Sequence, residues 1–343
     1  MHIATNTTPL TVDLSVASDK DGREHCVVVA KASFLAGVEP GLAPEQAPLV
    51  YADQLAGQPG SPSTDWETDF APFKPLTDVI VRGKAIAPGR VPVAKLPVRL
   101  EVEGRSKDAW VFGERRWVSV VGFTRMSDPV PFVEMPLSWE RASGGPYNPV
   151  GVAAGEAVPN IEDPRQAIGA PGDRPPPRGF AWVGRGWQPR VAFAGTYDQR
   201  WRTEVCPLLP HDFDQRYFQA APADQQFPHF RGGEHIRCVH MAAEPIVEWR
   251  VPTLPLPIRF DFLGGPILRM GVIDTVVLEP HIGRMHVCWR CSVPLPRRHF
   301  ELREINVGSA PRPDQPIGQR RGKPLFAGLD SYMRWHQRTQ GGP

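Results

Sequence analysis

Proline occupies 40 of the 343 positions in this chain, more than twice the share of about 5% that proteins usually contain. Because proline lacks an amide hydrogen and clashes with the preceding turn, it is excluded from helix interiors, and in sheets it is confined to edges and bulges. The chain also contains 32 glycines. We therefore expect no long helices and a fold of short strands joined by many loops.

Composition and charge exclude several classes of protein. Hydrophobic residues make up 41% of the chain and charged residues 22%, as in soluble globular proteins. The formal net charge of +2 is too small to attract nucleic acid or an anionic membrane. The N-terminus lacks a basic stretch followed by an apolar run, and no stretch approaches the roughly 18 apolar residues of a spanning helix. These features predict a cytoplasmic protein with neither nucleic acid nor a membrane as partner.

Alternation of apolar and polar residues predicts strands on both sides of a central loop region. Four of these strands lie early in the chain, at 10–16, 26–34, 79–86 and 96–102. Six more follow at near-regular spacing, at 235–241, 246–250, 257–262, 272–278, 285–293 and 298–307. Two hairpins are predicted as well, one around 113–116 and one with its loop at 279–283.

These elements predict a mainly β fold, with antiparallel sheets in two packed, β-sandwich-like halves. We assign 1–140 to the N-terminal half, 141–190 to a long Gly/Pro-rich crossover, and 191–343 to the C-terminal half. Because tryptophans rarely occur in free linkers, Trp182 and Trp187 indicate that the crossover is ordered.

Only a few short helices are expected, all of them in the C-terminal half. Two of them open this half, at 197–206 and 214–219, with Asp212 or Asp214 as an N-cap. An amphipathic segment at 324–338 is a candidate terminal helix.

Tests for catalytic and metal-binding motifs give little. The chain contains no G-x-S-x-G, H-E-x-x-H or P-loop motif. Cys288 and Cys291 have the spacing of a zinc or redox pair, but the segment alternates like a strand and no second pair exists. We therefore predict no catalytic residue, no cofactor and no metal.

Acidic residues leave one enzymatic alternative open. Asp212 and Asp214 could act as a general acid and base, although aspartate before a helical turn is more often an N-cap. Glu140 beside Trp139 could act as a glycosidase carboxylate next to a sugar-stacking ring. A carbohydrate-active hydrolase therefore stands as an alternative, together with a carbohydrate-binding β module.

Four stretches of the chain, in this order and spacing, resemble the bacterial family known as domain of unknown function 2169 (DUF2169). They are PLSWERASGGPYNPVG, VPNIEDP, GWQPRVAFAGTYDQRWRTEVCPLLPHDFDQRYFQAAPADQQ, and VIDTVVLEP with the later VCWR. The chain departs from the family pattern at Ser143, where the family usually has an aromatic residue, and at 180–182.

The resemblance implies a cytoplasmic, non-enzymatic accessory protein of the type VI secretion system. Such a protein acts as an adaptor or chaperone that binds a secreted toxin effector and helps to load it onto the spike complex. The implied partners are this effector and, as a second candidate, the spike protein (VgrG-like) or its PAAR-like tip.

Eight residues within the resembling stretches are candidates for partner binding or for a structural clasp that orders the crossover. They are Trp139, Glu140, Tyr197, Asp198, Trp201, Asp212, Asp214 and Gln225. The clasp is favoured, because Trp201 is apolar enough for the core and the aspartates suit caps or polar clamps.

Overall fold

The computed structural model of the chain describes residues 1–56, 63–142, 155–296, 301–308, 318–320, 323–326, 332–333 and 335–337. The described residues form a mainly β fold with several antiparallel sheets, which confirms the predicted fold class. The first twelve strands are β1 (Ile3–Asn6), β2 (Thr11–Ser18), β3 (Glu24–Leu35), β4 (Gln54–Ala56), β5 (Ser63–Trp66), β6 (Thr77–Val81), β7 (Lys84–Ile86), β8 (Lys95–Val102), β9 (Arg105–Phe112), β10 (Arg115–Val120), β11 (Phe123–Met126) and β12 (Glu134–Pro136).

The remaining strands include most of those predicted late in the chain. They are β13 (Ala157–Val158), β14 (Ile161–Glu162), β15 (Gln226–Phe227), β16 (His235–Val239), β17 (Ile246–Arg250), β18 (Leu256–Phe262), β19 (Gly265–Glu279), β20 (Arg284–Pro294), β21 (Leu302–Val307), β22 (Gly318–Arg320) and β23 (Lys323–Leu325). Helical turns lie at Pro88–Arg90, Trp139–Arg141, Arg190–Phe193, Trp201–Val205, Gln215–Phe218, Ala223–Gln225 and Pro280–Ile282. Residues 199–200, 332–333 and 335–337 are helical as well.

The chain divides into two compact units. The smaller unit comprises Met1–Thr8, Leu256–Met270 and His299–Pro343. In it, β21 lies between β1, to which it is parallel, and β18, to which it is antiparallel. The larger unit comprises Pro9–Pro255 and Gly271–Arg298, and it contains all the candidate site residues.

The main sheet of the larger unit has the strand order β6, β19, β20, β3, β2, with β15 paired to the outer side of β6. The pairing of β6 with β19 is parallel, and the other neighbours are antiparallel. Strand β3 is buried continuously from Cys26 to Phe34. Its near-continuous apolar sequence suits a strand that is covered on both faces.

A second sheet in the larger unit has the order β14, β9, β8, β16, β17 and is antiparallel throughout. Along β8, Leu96, Val98, Leu100 and Val102 are buried and the residues between them are more exposed. This period-2 alternation places one face of the strand in the core.

The sheets combine strands from both of the predicted halves. Strand β3 pairs with β20 over eleven residue pairs, and β8 pairs with β16. The proposed boundaries at 1–140, 141–190 and 191–343 stay a prediction. In the described part of the crossover, Trp182 and Trp187 are buried. Within the candidate terminal helix at 324–338, residues 324–325 belong to β23, whereas residues 332–333 and 335–337 are helical. Residues 327–331, 334 and 338 of this segment lie outside the described part of the chain.

One of the two predicted hairpins is confirmed and the other is wrong. Strands β19 and β20 pair directly, and Gly283 in their connection has the left-handed φ of +63° that favours glycine. Strands β9 and β10 do not pair, because they belong to different sheets. Gly113 lies between them, and a β-carbon at this position would overlap the carbonyl of Val130. The chain thus uses Gly113 to pass close to another backbone segment.

Charged pairs occupy the core beside the main sheet. Lys31, in the middle of β3, is fully buried, and its Nζ donates to Asp69 Oδ2 at 2.9 Å. The same carboxyl oxygen accepts the amide of Val50 at 2.8 Å. Arg290 of β20 donates from Nε to Asp274 at 2.5 Å and from Nη1 to the carbonyl of Asp69. Each of these buried charges therefore has an opposite charge within hydrogen-bond distance.

Removing one partner of such a pair should be costly. We expect Asp69→Ala to lower the free energy of unfolding by about 3–5 kcal/mol, because Lys31 would be left buried without a counter-charge. Urea unfolding monitored by tryptophan fluorescence measures this change. In the matched control Asp108→Ala, the exposed Arg99–Asp108 pair is lost, and the cost should stay below about 1 kcal/mol. Equal losses in the two variants would contradict this account of the core.

Candidate functional site

The stretch at 195–226 that most resembles the family folds as a series of tight turns. Gly195 begins it with a φ of +81°, and a β-carbon there would lie 2.9 Å from Pro210 Cβ and 3.0 Å from Asp212 Oδ1. Asp212 accepts hydrogen bonds from the amide and the hydroxyl of Thr196, at 3.0 and 2.8 Å. Asp212 is therefore a clamp between two turns of the stretch, not a helix cap.

Tyr197, Asp198 and Trp201 lie together within this stretch. Asp198 Oδ1 accepts the amide of Trp201 at 2.8 Å, which caps the helical turn that follows. The rings of Tyr197 and Trp201 meet edge to face with centroids 4.7 Å apart, and Trp201 Nε1 donates to the carbonyl of Leu208. Trp201, expected in the core, is only partly buried. Tyr197 is 47% exposed and Leu208 is 42% exposed.

Asp214 is the N-cap of the turn Gln215–Phe218, as the sequence predicts. Its carboxylate accepts the amide of Arg216 at 2.8 Å and the guanidinium of the same residue. Hydrogen bonds from Arg216 hold the pKa of Asp214 below its ordinary value, and hydrogen bonds from Thr196 do the same for the pKa of Asp212. A glycosidase general acid requires a raised pKa instead. The two aspartates are therefore suited to capping and clamping.

Gln225 lies fully inside the protein, at 1% exposure. Its Nε2 donates to the carbonyls of Val79 and Phe180, at 2.6 and 2.9 Å, and its Oε1 accepts from Lys107 Nζ at 2.7 Å. Burial lowers the pKa of Lys107 to about 8, against the opposing effect of the nearby Asp224 carboxylate. The amide of Gln225 thus joins β6, β9 and the crossover.

Trp139 is a core residue in this structure. It is 4% exposed and packs with Val183 and Trp187 of the crossover. A β-carbon at Gly179 would overlap the Trp139 ring, so the crossover approaches the indole as closely as only glycine allows. The Trp139 ring is therefore not available for stacking on a sugar.

Glu140 is separate from the aspartate pair in its contacts. It accepts a hydrogen bond from Ser138 Oγ at 2.8 Å. No hydrogen bond or ion pair within the described ranges joins it to Asp212 or Asp214. The structure thus connects Tyr197, Asp198, Trp201 and Asp212 through neighbouring turns, whereas Trp139 and Gln225 are individual core contacts.

An open pocket of about 250 Å³ adjoins this stretch. Its apolar lining consists of Pro72, Phe73, Leu209, Phe213 and Phe218. Its polar lining comes from Gln215 and from residues of β2, β3, β20 and the turn between β2 and β3. Leu208 packs against the same turn at Gly22, where an added β-carbon would lie only 2.8 Å from a methyl group of Leu208. The pocket is smaller than the roughly 300–1,000 Å³ of drug-sized ligand sites. It suits an apolar side chain of a partner protein.

We call the area formed by Tyr197, Leu208 and this pocket the motif surface. Arg200 and Arg202 are exposed beside Trp201 in the sequence. Aromatic and arginine side chains are the residues enriched in the centres of protein interfaces. The motif surface therefore has the composition of a protein-binding site.

Sequence reasoning missed a hydrogen-bonded chain of buried polar residues. Ser33 and His286 lie opposite each other on β3 and β20, with Oγ and Nδ1 2.8 Å apart. His286 Nε2 is 2.7 Å from Glu279 Oε2, and Glu279 Oε1 accepts from Arg82. Arg82 also pairs with Asp65. Ser33 and His286 meet only through the pairing of β3 with β20, so no local feature of the sequence identifies them.

The order serine, histidine and carboxylate is also that of a hydrolase triad. Here, however, Ser33 is 0% exposed and His286 is 2% exposed. Ser33 Oγ also accepts the amide of Ala47 at 3.0 Å. A nucleophile must reach its substrate, and this hydroxyl is covered on all sides. The chain of polar residues thus links strands within the core.

Three other features bear on chemistry. Cys288 and Cys291 are buried and neither forms a disulfide, and burial raises the pKa of the Cys288 thiol well above its ordinary value. Across the described ranges, no group of three His, Cys, Asp or Glu side chains is arranged to hold a metal ion. None of the helices in the described part of the chain has the length and apolarity needed to cross a bilayer.

Fold and site together define a mainly β protein with a charged core and an exposed, interface-like motif surface. A family model matches residues 21–290, which is most of the chain. The protein therefore belongs to the bacterial family described as "Uncharacterized protein conserved in bacteria (DUF2169)". Neither a curated protein nor a solved structure matches it.

The buried Glu279 should make stability depend on acidity. Burial alone would raise its pKa, but hydrogen bonds from His286 and Arg82 and their positive charges bring the pKa below its ordinary value. Because the folded-state pKa is the lower one, the stabilising contribution is complete above about pH 4.3, the pKa of an unperturbed glutamate. It is lost as the pH falls through the folded-state pKa.

We therefore expect the free energy of unfolding at pH 7 to be higher for the wild-type protein than for the Glu279→Gln variant. This difference should shrink steadily from about pH 5 to pH 2. Urea titrations at each pH measure it. Exposed Glu45, which pairs only with Arg284 among the described residues, provides the control Glu45→Gln, for which the difference should stay small throughout. A pH-independent gap for Glu279→Gln would disprove the linkage.

Proposed function

We propose that this protein is a non-enzymatic adaptor or chaperone of bacterial type VI secretion. It binds a toxin effector in the cytoplasm and helps to load it onto the spike complex. The secretion context comes from the family resemblance of the four sequence stretches. The binding role rests on one structural observation, the exposed motif surface within the stretch that resembles the family most.

The motif surface suits binding because it combines exposure with order. Tyr197 and Leu208 expose 47% and 42% of their surface, yet both lie in turns fixed by internal hydrogen bonds. Asp198 caps the turn after Tyr197, and Trp201 Nε1 donates to the carbonyl of Leu208. A surface already held in its binding conformation loses less entropy on association than a flexible one.

No specific observation favours the two rival functions. A hydrolase using Asp212 and Asp214 would need one raised pKa, and both values are lowered. A carbohydrate-binding module would need a row of exposed aromatic rings. Trp139, Trp182 and Trp187 are all buried.

Affinity purification from the native cytoplasm, followed by mass spectrometry, tests the proposal. We expect the wild-type chain to recover a toxin-like protein, a spike component, or both. The double variant Tyr197→Ser/Leu208→Ser should reduce this recovery by about tenfold or more, the effect of losing interface hot spots. Leu268→Ser, at a residue that is 56% exposed in the smaller unit, is the matched control and should bind like wild type.

Deletion of the gene provides an independent measurement. Effector abundance or secretion should fall in the deletion strain and return when the wild-type gene is restored. If both remain at wild-type levels and the purified chain recovers neither class of partner, the adaptor proposal is wrong.

A further inference from the structure

A second exposed apolar feature lies on the hairpin formed by β10 and β11. The strands pair antiparallel, and Val120 and Phe123 face each other across the two-residue turn of Val121 and Gly122. Val121 is 91% exposed, Phe123 is 72% exposed and Val120 is 39% exposed. We call Val120–Phe123 the hairpin tip. Three neighbouring apolar side chains therefore point into solvent at one place.

The backbone of the hairpin tip is strained. Val121 has a φ of 38° and Gly122 a φ of 87°, the two positive values of a type I′ turn. Asparagine or aspartate is preferred at the first of these positions, and a β-branched residue with positive φ is an outlier. An asparagine at 121 would fold with less strain. What valine provides at this position, and asparagine would not, is an exposed apolar side chain.

The base of the hairpin is firmly packed. Trp117 is 1% exposed and lies in a buried cluster with Val158 and Ile168. Met126, paired with Trp117 across the hairpin, packs against the same cluster. The exposed tip is thus carried by an ordered base, as loops that bind partners commonly are.

The charge next to the tip indicates the chemistry of the partner. Arg125 is exposed and forms no ion pair with any residue in the described ranges. A carboxylate on a partner could pair with it. Around the hairpin, exposed Arg116 and Arg125 lie near exposed Asp128, and Glu114 is paired with Arg141. Two exposed arginines beside one aspartate are far from the roughly four to eight clustered basic residues that recognise an anionic membrane, so a protein is the better occupant.

We propose that the hairpin tip is a docking anchor for a protein partner. The partner receives the Phe123 ring in an apolar pocket, contacts Val121, and places a carboxylate at the pocket rim against Arg125. A central aromatic anchor surrounded by polar residues is the usual arrangement of an interface hot spot. This inference rests on the proposed function for the identity of the partner, which is the effector or spike component.

The test uses the purified full-length chain and the purified partner protein recovered in the affinity experiment, titrated by calorimetry. Phe123→Ser and Val121→Asn should each raise Kd by about tenfold or more, as loss of a hot spot does. Arg125→Glu should weaken binding most at low salt, where charge effects are least screened. The matched control Val38→Asn replaces a valine that is 64% exposed elsewhere and should leave Kd unchanged.

Val121→Asn separates docking from folding. Because it removes the strain of the turn, we expect its Tm to rise above that of wild type while its affinity falls. A variant that is more stable but binds less cannot owe its loss of binding to misfolding. An unchanged or lower Tm together with an unchanged Kd would overturn the proposal.

The remaining outcomes distinguish failure of this inference from failure of the proposed function. If wild type binds the partner and the variants Phe123→Ser, Val121→Asn and Arg125→Glu bind it equally well, the tip is not the anchor and the adaptor function stands. If wild type binds neither a toxin nor a spike protein, both proposals fall. Flotation with phosphatidylglycerol vesicles, or self-association in sedimentation equilibrium, that depends on Phe123 would assign the tip to a membrane or a second copy and overturn the proposal.

Discussion

The buried ion pair of Lys31 and Asp69 joins strand β3 to the loop after β5, and the rest of the larger unit is built around this contact. Lys31 comes from the buried strand β3, and Asp69 comes from the loop that follows β5. Through Asp69, the amide of Val50 and the guanidinium of Arg290 join the same centre. A protein in which well-packed apolar residues replace such a buried ion pair is often at least as stable. We infer that the charges fix where this loop crosses the sheet, because only one position of the loop brings every buried charge next to its opposite charge.

The same polar system extends from the core to the motif surface. Asp78 of β6 accepts Lys74 Nζ, the side chain of Gln219 and the amide of Ala220. Gln219 directly follows the helical turn that Asp214 caps, and this turn ends in Phe218 at the pocket wall. Trp66 adds an aromatic layer with Lys31 Nζ 4.5 Å from its ring centroid. The position of the pocket is therefore determined by ions deep in the core.

Local features were predictable from the sequence, and non-local ones were not. Alternation identifies β8 because its own residues carry the pattern, and Asp214 is recognisable as a cap because its bond reaches only two residues along the chain. Asp212 looked like a cap as well, yet it binds Thr196, sixteen residues away. The hairpin expected at 113–116 failed for the same reason, since Gly113 fits against Val130. No local signal reports a contact of this kind.

The two exposed features have complementary energetic roles. A stable interface buries about 800 Å² on each partner, whereas one large aromatic side chain buries only about 150–250 Å². The hairpin tip, with one phenylalanine and two valines, is thus too small to hold a partner tightly by itself, and so is the motif surface. If one partner bound both the hairpin tip and the motif surface, binding at the second surface would be intramolecular once the first was bound. The overall affinity would then exceed that of either surface alone. Separate partners at the two surfaces would each bind weakly and reversibly. Under the proposed function, the protein must release its partner at the spike, and contacts that are individually weak, such as small apolar anchors on an ion-paired core, would allow this release.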